Sequence, residues 1–119
     1  LLEIFLACCE KKLNKVDINW LDKKSLCIVV CSKGYPDKFK KDVEIKDIKD
    51  IHLGPNEYVF HAGTAKNKEK IYATGGRVLN FVSVSDDFGQ SRKEIIKIIN
   101  ELNWVGGFFR KDIGHKVIN

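Results

Sequence analysis

Lys70 and Arg77 stand seven residues apart, on either side of Gly75-Gly76. Arginine forks onto two oxygens of a phosphate or carboxylate, and lysine adds a mobile point charge on a long stem. Two such groups converging on one small anion would hold it from both sides. The flanking runs, Lys70 to Thr74 and Arg77 to Ser85, read as strands. A Gly-Gly pair between two such runs is a hairpin signal, because glycine enters positive-φ turn geometry without steric cost. With Gly75 and Gly76 as loop residues, Thr74 faces Arg77, Tyr72 faces Leu79 and Lys70 faces Phe81. Side chains on one face recur every second residue, so Lys70 and Arg77 share a side, their Cα atoms roughly 13 Å apart at about 3.3 Å per residue. Glycines beside Arg77 also let a ligand or a second backbone come close. Residue types and spacing leave two readings open here: a gripped anion, or a solvated hairpin with two surface cations.

The other polar groups carry weaker signals. Asp86 and Asp87 form a carboxylate pair, but they precede a helical pattern and suit an N-cap. His61 ends a strand and reads as a packed, hydrogen-bonded histidine; His115 follows Gly114 in a turn. Arg110 and Asp112 lie two apart and can share a strand face, either as a salt bridge or as a substrate contact. No nucleophile elbow, Walker loop or H-E-x-x-H motif is present. The histidines are scattered, so no metal spacing and no catalytic residue is assigned. The four cysteines, Cys8, Cys9, Cys27 and Cys31, form no C-x-x-C pair. They are expected to be free thiols, acting as small buried apolar residues in a reducing cytoplasm.

The elements that would position these groups follow from periodicity. Leu1 to Leu13 is helical, with an apolar face too wide for an ordinary surface helix. Val16 to Trp20 alternates as a strand, and Leu21 to Ser25 turns. Leu26 to Ser32 is almost wholly apolar, which predicts a central strand covered on both faces. Lys33-Gly34-Tyr35-Pro36 ends it. Asp37 to Lys49 reads as a charged surface loop with a short strand near Val43 to Ile45, and Gly54-Pro55-Asn56 as a turn. Glu57 to Asp87 reads as three strands joined by two turns. A helix then runs to about Asn103, with Ile95, Ile98, Ile99 and Leu102 on one stripe. Trp104 to Gly107 breaks it, and Phe108 to His115 returns as a short strand and turn. The sum is an α+β domain, an antiparallel sheet with one long packed helix.

The 119 residues suit one domain, with 44% hydrophobic and 31% charged residues and a net charge of +5. Of 21 basic residues only three are Arg. In a chain that defaults to Lys, an Arg marks a place for a planar bidentate donor, which points at Arg77 and Arg110. No apolar run reaches the roughly 20 residues of a membrane span, and no signal peptide is apparent. The chain has no methionine, and the expectation is that it continues upstream of Leu1. A lysine-rich sheet with Phe60, Tyr72 and Phe81 allows an alternative, a small basic nucleic-acid-binding domain that stacks bases. A second alternative is a packing module that touches no substrate.

Four stretches then carry a resemblance: Cys31 to Pro36 (CSKGYP), Val59 to Thr64 (VFHAGT), Lys70 to Leu79 (KIYATGGRVL) and Phe109 to His115 (FRKDIGH). In that order and spacing they resemble the C-terminal part of the glycinamide ribonucleotide synthetase family, the phosphoribosylamine–glycine ligases. The resemblance covers essentially the whole chain. It implies residues 1–24 as the end of an ATP-grasp domain, a helix with a linker hairpin strand, and residues 25–119 as the C-terminal domain, a rudiment single hybrid motif. It implies an enzyme that joins glycine to 5-phosphoribosylamine in purine synthesis. ATP and Mg²⁺ (or Mn²⁺) are held outside this segment, beside upstream ATP-grasp and N-terminal domains. The segment alone is then inactive. The implied protein is a cytoplasmic monomer with no nucleic-acid or membrane partner. Related enzymes place a Lys and an Arg seven residues apart on the ribose 5-phosphate, which carries over to Lys70 and Arg77. Thr74 stands where the family often has Asn. Arg110 and Asp112 are secondary candidates.

Overall fold

A computed structural model describes residues 1–102 and 104–118. In chain order the elements are α1 (Leu2–Cys9), β1 (Lys24–Ser32), β2 (Val43–Glu44), β3 (Glu57–His61), β4 (Thr64–Asn67), β5 (Lys70–Ala73), β6 (Arg77–Ser85), α2 (Phe88–Leu102) and β7 (Gly107–Phe108), with 3₁₀ turns at Leu13–Lys15 and His115–Val117. Asp87 starts α2 as expected: its Oδ1 accepts from the Gln90 N–H at 2.8 Å. Ile95, Ile98, Ile99 and Leu102 form the buried stripe of that helix. The expected end of the helix, Asn103, lies outside the described residues.

The stripe packs on a four-stranded antiparallel sheet of order β3-β6-β1-β7. Ile28 and Val30 of β1 and Leu79 and Phe81 of β6 complete the core. The polar groups on this buried face are partnered: Ser83 Oγ donates to Glu94 Oε2 at 2.5 Å, and Ser85 Oγ bonds Ser91 Oγ at 2.7 Å. Gly54-Pro55-Asn56 turns as expected, with the Glu57 N–H donating to the Gly54 carbonyl.

Residues 57–85 depart from the sequence expectation. Gly75-Gly76 is not a hairpin turn, and β5 and β6 lie in different sheets. β6 pairs with β3, from Glu57↔Ser83 to His61↔Leu79. β5 pairs with β4, from Thr64↔Ala73 to Asn67↔Lys70, in a second antiparallel sheet of order β2-β5-β4. The chain reverses at Lys68-Glu69, with Lys68 in the left-handed region at φ 52°. Residues 57–67 and 70–85 therefore make one long antiparallel ribbon that changes sheets midway.

The register slips at that point. The Ala62 N–H donates to the Val78 carbonyl at 3.0 Å, while the Thr74 N–H donates to the carbonyl of the next residue, Gly63, at 2.8 Å. Gly75 and Gly76 thus bulge out of the ribbon between Thr74 and Arg77, which both bond Gly63. The glycines serve close approach here. A Cβ on Gly63 would lie 2.6 Å from the Arg77 carbonyl oxygen and 2.8 Å from Gly75 Cα, and one on Gly76 would lie 2.1 Å from the Tyr35 ring. Glycine needed for a turn and glycine needed for a contact look alike in a sequence.

Other expectations are also corrected. The N-terminal helix stops at Cys9, short of Leu13, and Val16 to Trp20 joins no sheet. An alternating pattern makes a strand only where an edge is free to pair with it. β1 buries one face, at Ile28, Val30 and Ser32, and leaves Cys27 exposed on the other. All four cysteines are free, but Cys8, Cys9 and Cys27 are exposed and Cys31 half-buried, so they are not core fillers. The Phe60, Tyr72 and Phe81 stacking surface does not form. Phe81 is fully buried under α2, and Tyr72 belongs to the other sheet.

Phe81→Ala should cost about 3–5 kcal/mol through lost burial and a cavity. Gly63→Ala should cost about 1–3 kcal/mol, because the atoms it meets are backbone and cannot swing away. Both are read as a lowered urea midpoint at constant m-value. An unchanged midpoint for Gly63→Ala would rule out the close crossing.

Candidate functional site

The crossing of the ribbon is pinned by Ser32, the buried last residue of β1. Its N–H donates to the Gly76 carbonyl and its Oγ to the Gly75 carbonyl, both at 2.8 Å. The Tyr35 N–H returns to the Ser32 carbonyl at 3.0 Å, and the Lys33 N–H donates to the Gly106 carbonyl at 2.9 Å. Four separate segments meet here, at residues 32–35, 63, 75–77 and 106. Arg77 leaves this knot exposed to solvent. Among the described residues its guanidinium has no ion-pair or hydrogen-bond partner. It sits opposite Cys31 in the β1–β6 ladder. Partial burial pushes the Cys31 thiol up, and the Arg77 charge offsets part of that rise.

Lys70 lies beside the hairpin turn, at the end of β5 remote from the crossing. It faces Asn67 and not Phe81. Its Nζ is 3.0 Å from Glu44 Oε2 on β2. Hydrogen bonding to Glu44, then its charge, holds the ammonium above its usual range. The facing-strand geometry expected to bring Lys70 and Arg77 onto one side is therefore absent. They sit on different sheets, with the rest of β5 and the glycine bulge between them.

Arg110 and Asp112 satisfy each other. Nη2 meets Oδ2 at 2.5 Å and Nε meets Oδ1 at 3.0 Å, a bidentate fork. The hydrogen bond from Arg110 is the main cause of the lowered Asp112 pKa. His115 Nδ1 bonds the Asp112 carbonyl at 2.6 Å, and His61 Nδ1 bonds Thr64 Oγ1 at 3.0 Å. Asp86 pairs with Lys23 at 2.5 Å, so Asp86 and Asp87 have separate structural tasks. Arg92 was not singled out by sequence. Its Nε donates to the Ile113 carbonyl at 3.0 Å and its Nη2 to the Lys111 carbonyl, so its fork fastens the turn after β7 to α2. Its signal was available as an Arg on the polar side of a helix otherwise served by Lys.

Also unforeseen is a cavity of about 500 Å³ under the loop after β1, lined in part by Lys33, Lys38 and Lys40. Among the described residues no three His, Cys, Asp or Glu side chains come together as a metal site requires. No described helix is long and apolar enough to cross a membrane.

Comparison with known proteins adds four findings. The family model for phosphoribosylglycinamide synthetase, C domain, matches residues 25–116. The chloroplastic phosphoribosylamine–glycine ligase of Arabidopsis thaliana is 35% identical over 120 residues, covering 99% of this chain and 23% of that protein. The phosphoribosylamine–glycine ligase of Caldanaerobacter subterraneus subsp. tengcongensis is 37% identical over 112 residues, covering 94% of this chain and 26% of that protein. The chain thus spans about a quarter of the length of these curated relatives. A crystal structure of phosphoribosylamine–glycine ligase from Thermotoga maritima shares the fold, with a TM-score of 0.69 at 23% identity over 94% of this chain and 28% of that one.

Two titrations check the local electrostatics. Glu44→Gln should let the Lys70 ammonium fall back toward the ordinary lysine range, read by NMR of the lysine side chain. Arg110→Ala should raise the Asp112 carboxyl toward the ordinary aspartate range. The folded Asp112 titrates lower than the unfolded one. Its pair with Arg110 therefore favours the fold above the ordinary aspartate range and loses that contribution as pH falls through the lowered value. Both partners are exposed, so the effect on stability is small.

Proposed function

The chain belongs to the phosphoribosylglycinamide synthetase C-domain family over residues 25–116, and on that premise we propose that it is the C-terminal part of an ATP-dependent ligase joining glycine to 5-phosphoribosylamine in purine biosynthesis. Arg77 receives the ribose 5-phosphate, and Lys70, held by Glu44 at the far end of β5, adds only more distant positive charge. The observation that carries this is Arg77 itself, a charged fork with no partner among the described residues, mounted on a backbone crossing held by hydrogen bonds. With its backbone already held, Arg77 has only its side chain left to order when it grips an anion. Gripping the phosphate, far from the reacting amine, orients that amine for attack.

ATP and Mg²⁺ (or Mn²⁺) belong to the ATP-grasp part of the whole enzyme. The donor groups among the described residues here do not fit a metal, so no step of the phosphate chemistry is assigned to them. The segment by itself is inactive on this account. Residues 1–24 are the end of the ATP-grasp domain and its linker. Their exposed apolar side chains support this: Leu2 is 72% exposed, Phe5 57% and Trp20 88%. The backbone hydrogen bonds from Phe5 to Val16 stay within that segment, which leaves this apolar surface for the upstream domains to cover. The whole protein is a cytoplasmic monomer without nucleic-acid or membrane partners. Arg110 and Asp112 support the turn that carries them, and contact with substrate is secondary.

A packing module that touches no substrate is the competing account, and the Lys70–Glu44 ion pair favours it. In the full-length ligase, Arg77→Ala should raise KM for 5-phosphoribosylamine about 10- to 100-fold. That is the loss expected of one charge-assisted phosphate contact worth about 1.5–3 kcal/mol. KM for ATP and the unfolding midpoint should hold, and Lys70→Ala should have the smaller effect. An unchanged KM for 5-phosphoribosylamine leaves the packing module as the better account.

A further inference from the structure

The cavity under the loop that follows β1 is bordered by positive charge. Lys33, Lys38 and Lys40 border it, and no Asp or Glu does. Six lysines of the chain, Lys12, Lys23, Lys24, Lys49, Lys66 and Lys70, reach a carboxylate. Among the described residues the three cavity lysines reach none. Asp37 and Asp42 lie in the same loop and do not line the space. A cleft bordered by charge of one sign concentrates the field and draws in counter-ions.

The remaining wall is apolar. Phe39 and Val43 border the same space, and the Phe39 ring is held edge-on to Tyr35 with centroids 6.1 Å apart. The volume, about 500 Å³, falls within the roughly 300–1,000 Å³ usual for small-molecule sites. Behind Gly106, which borders the cavity, stands the Trp104 indole: a Cβ on Gly106 would lie 2.8 Å from its Nε1, and Trp104 itself lines the neighbouring cavity. The floor is preformed, since Lys33 is tied to Gly106 and Ser32 to the crossing.

We propose that this cavity binds a phosphomonoester carrying a flat ring, of nucleotide size. The lysines take the phosphate, and Phe39 and Val43 cover the ring. The site does not rest on the role given to Lys70 and Arg77.

The test uses the 119-residue chain with Trp20→Phe, which leaves Trp104 as its only tryptophan, titrated with AMP, adenosine and inorganic phosphate while indole fluorescence is followed. AMP should give a saturable change, with adenosine and inorganic phosphate each at least about tenfold weaker. Lys38→Ala with Lys40→Ala should weaken AMP about tenfold or more; both side chains are exposed, so the fold is kept. Arg77→Ala should leave AMP binding unaltered, which separates this cavity from the ribose phosphate contact. Absence of a saturable response to AMP overturns the proposal. So does adenosine or inorganic phosphate binding as tightly as AMP, binding indifferent to the two lysines, or binding that falls with Arg77→Ala.

Discussion

Two donors on one buried serine hold this domain's crossing together. Where Gly75 and Gly76 bulge from the ribbon, the regular ladder is interrupted and carbonyls near the interior need other partners. Ser32 supplies them, its N–H to Gly76 and its Oγ to Gly75. Leaving such carbonyls unpaired would cost about 1–3 kcal/mol each. The same residue ends β1 and pairs with Gly107 of β7. One short segment thereby ties the helix-backed sheet to the bend that launches the second sheet.

Charge on the outside follows from that knot. Arg77 projects from it, and the loop carrying Lys33, Lys38 and Lys40 begins at it. Lys70 is carried away to the far end of β5, where Glu44 of the neighbouring strand meets it. The chain's net charge of +5 is thus unevenly used. Many lysines are neutralised locally by exposed carboxylates, pairs that add little to stability. Among the described residues Arg77, Lys33, Lys38 and Lys40 are cations that reach no carboxylate, and they lie close to the crossing along the chain.

Elements decided by neighbouring residues were legible. The stripe of Ile95, Ile98, Ile99 and Leu102, the Asp87 cap and the apolar run of β1 are local patterns, and each stands where its pattern put it. The family was legible too, because four motifs in order are more specific than any one of them. The Gly75-Gly76 turn was misplaced for a definite reason. The reversal uses Lys68-Glu69, where a lysine takes a left-handed conformation that composition does not announce. Val16 to Trp20 alternates correctly but finds no strand edge, and the exposure of Cys8, Cys9 and Cys27 reflects which surfaces remain uncovered.

The order of residues alone settled the chemistry available to this chain: which groups carry charge, where the long helix starts, and which family its motifs belong to. These depend on side-chain type and on contacts within a few residues. Tertiary structure decided which of those groups meet. It separated Lys70 from Arg77, gave Glu44 to one and nothing to the other, and gathered Lys33, Lys38 and Lys40 around a cavity beside Trp104. Pairings of that kind depend on strand register and on where a bulge falls. Both are set by contacts between residues far apart along the chain, which no local pattern encodes.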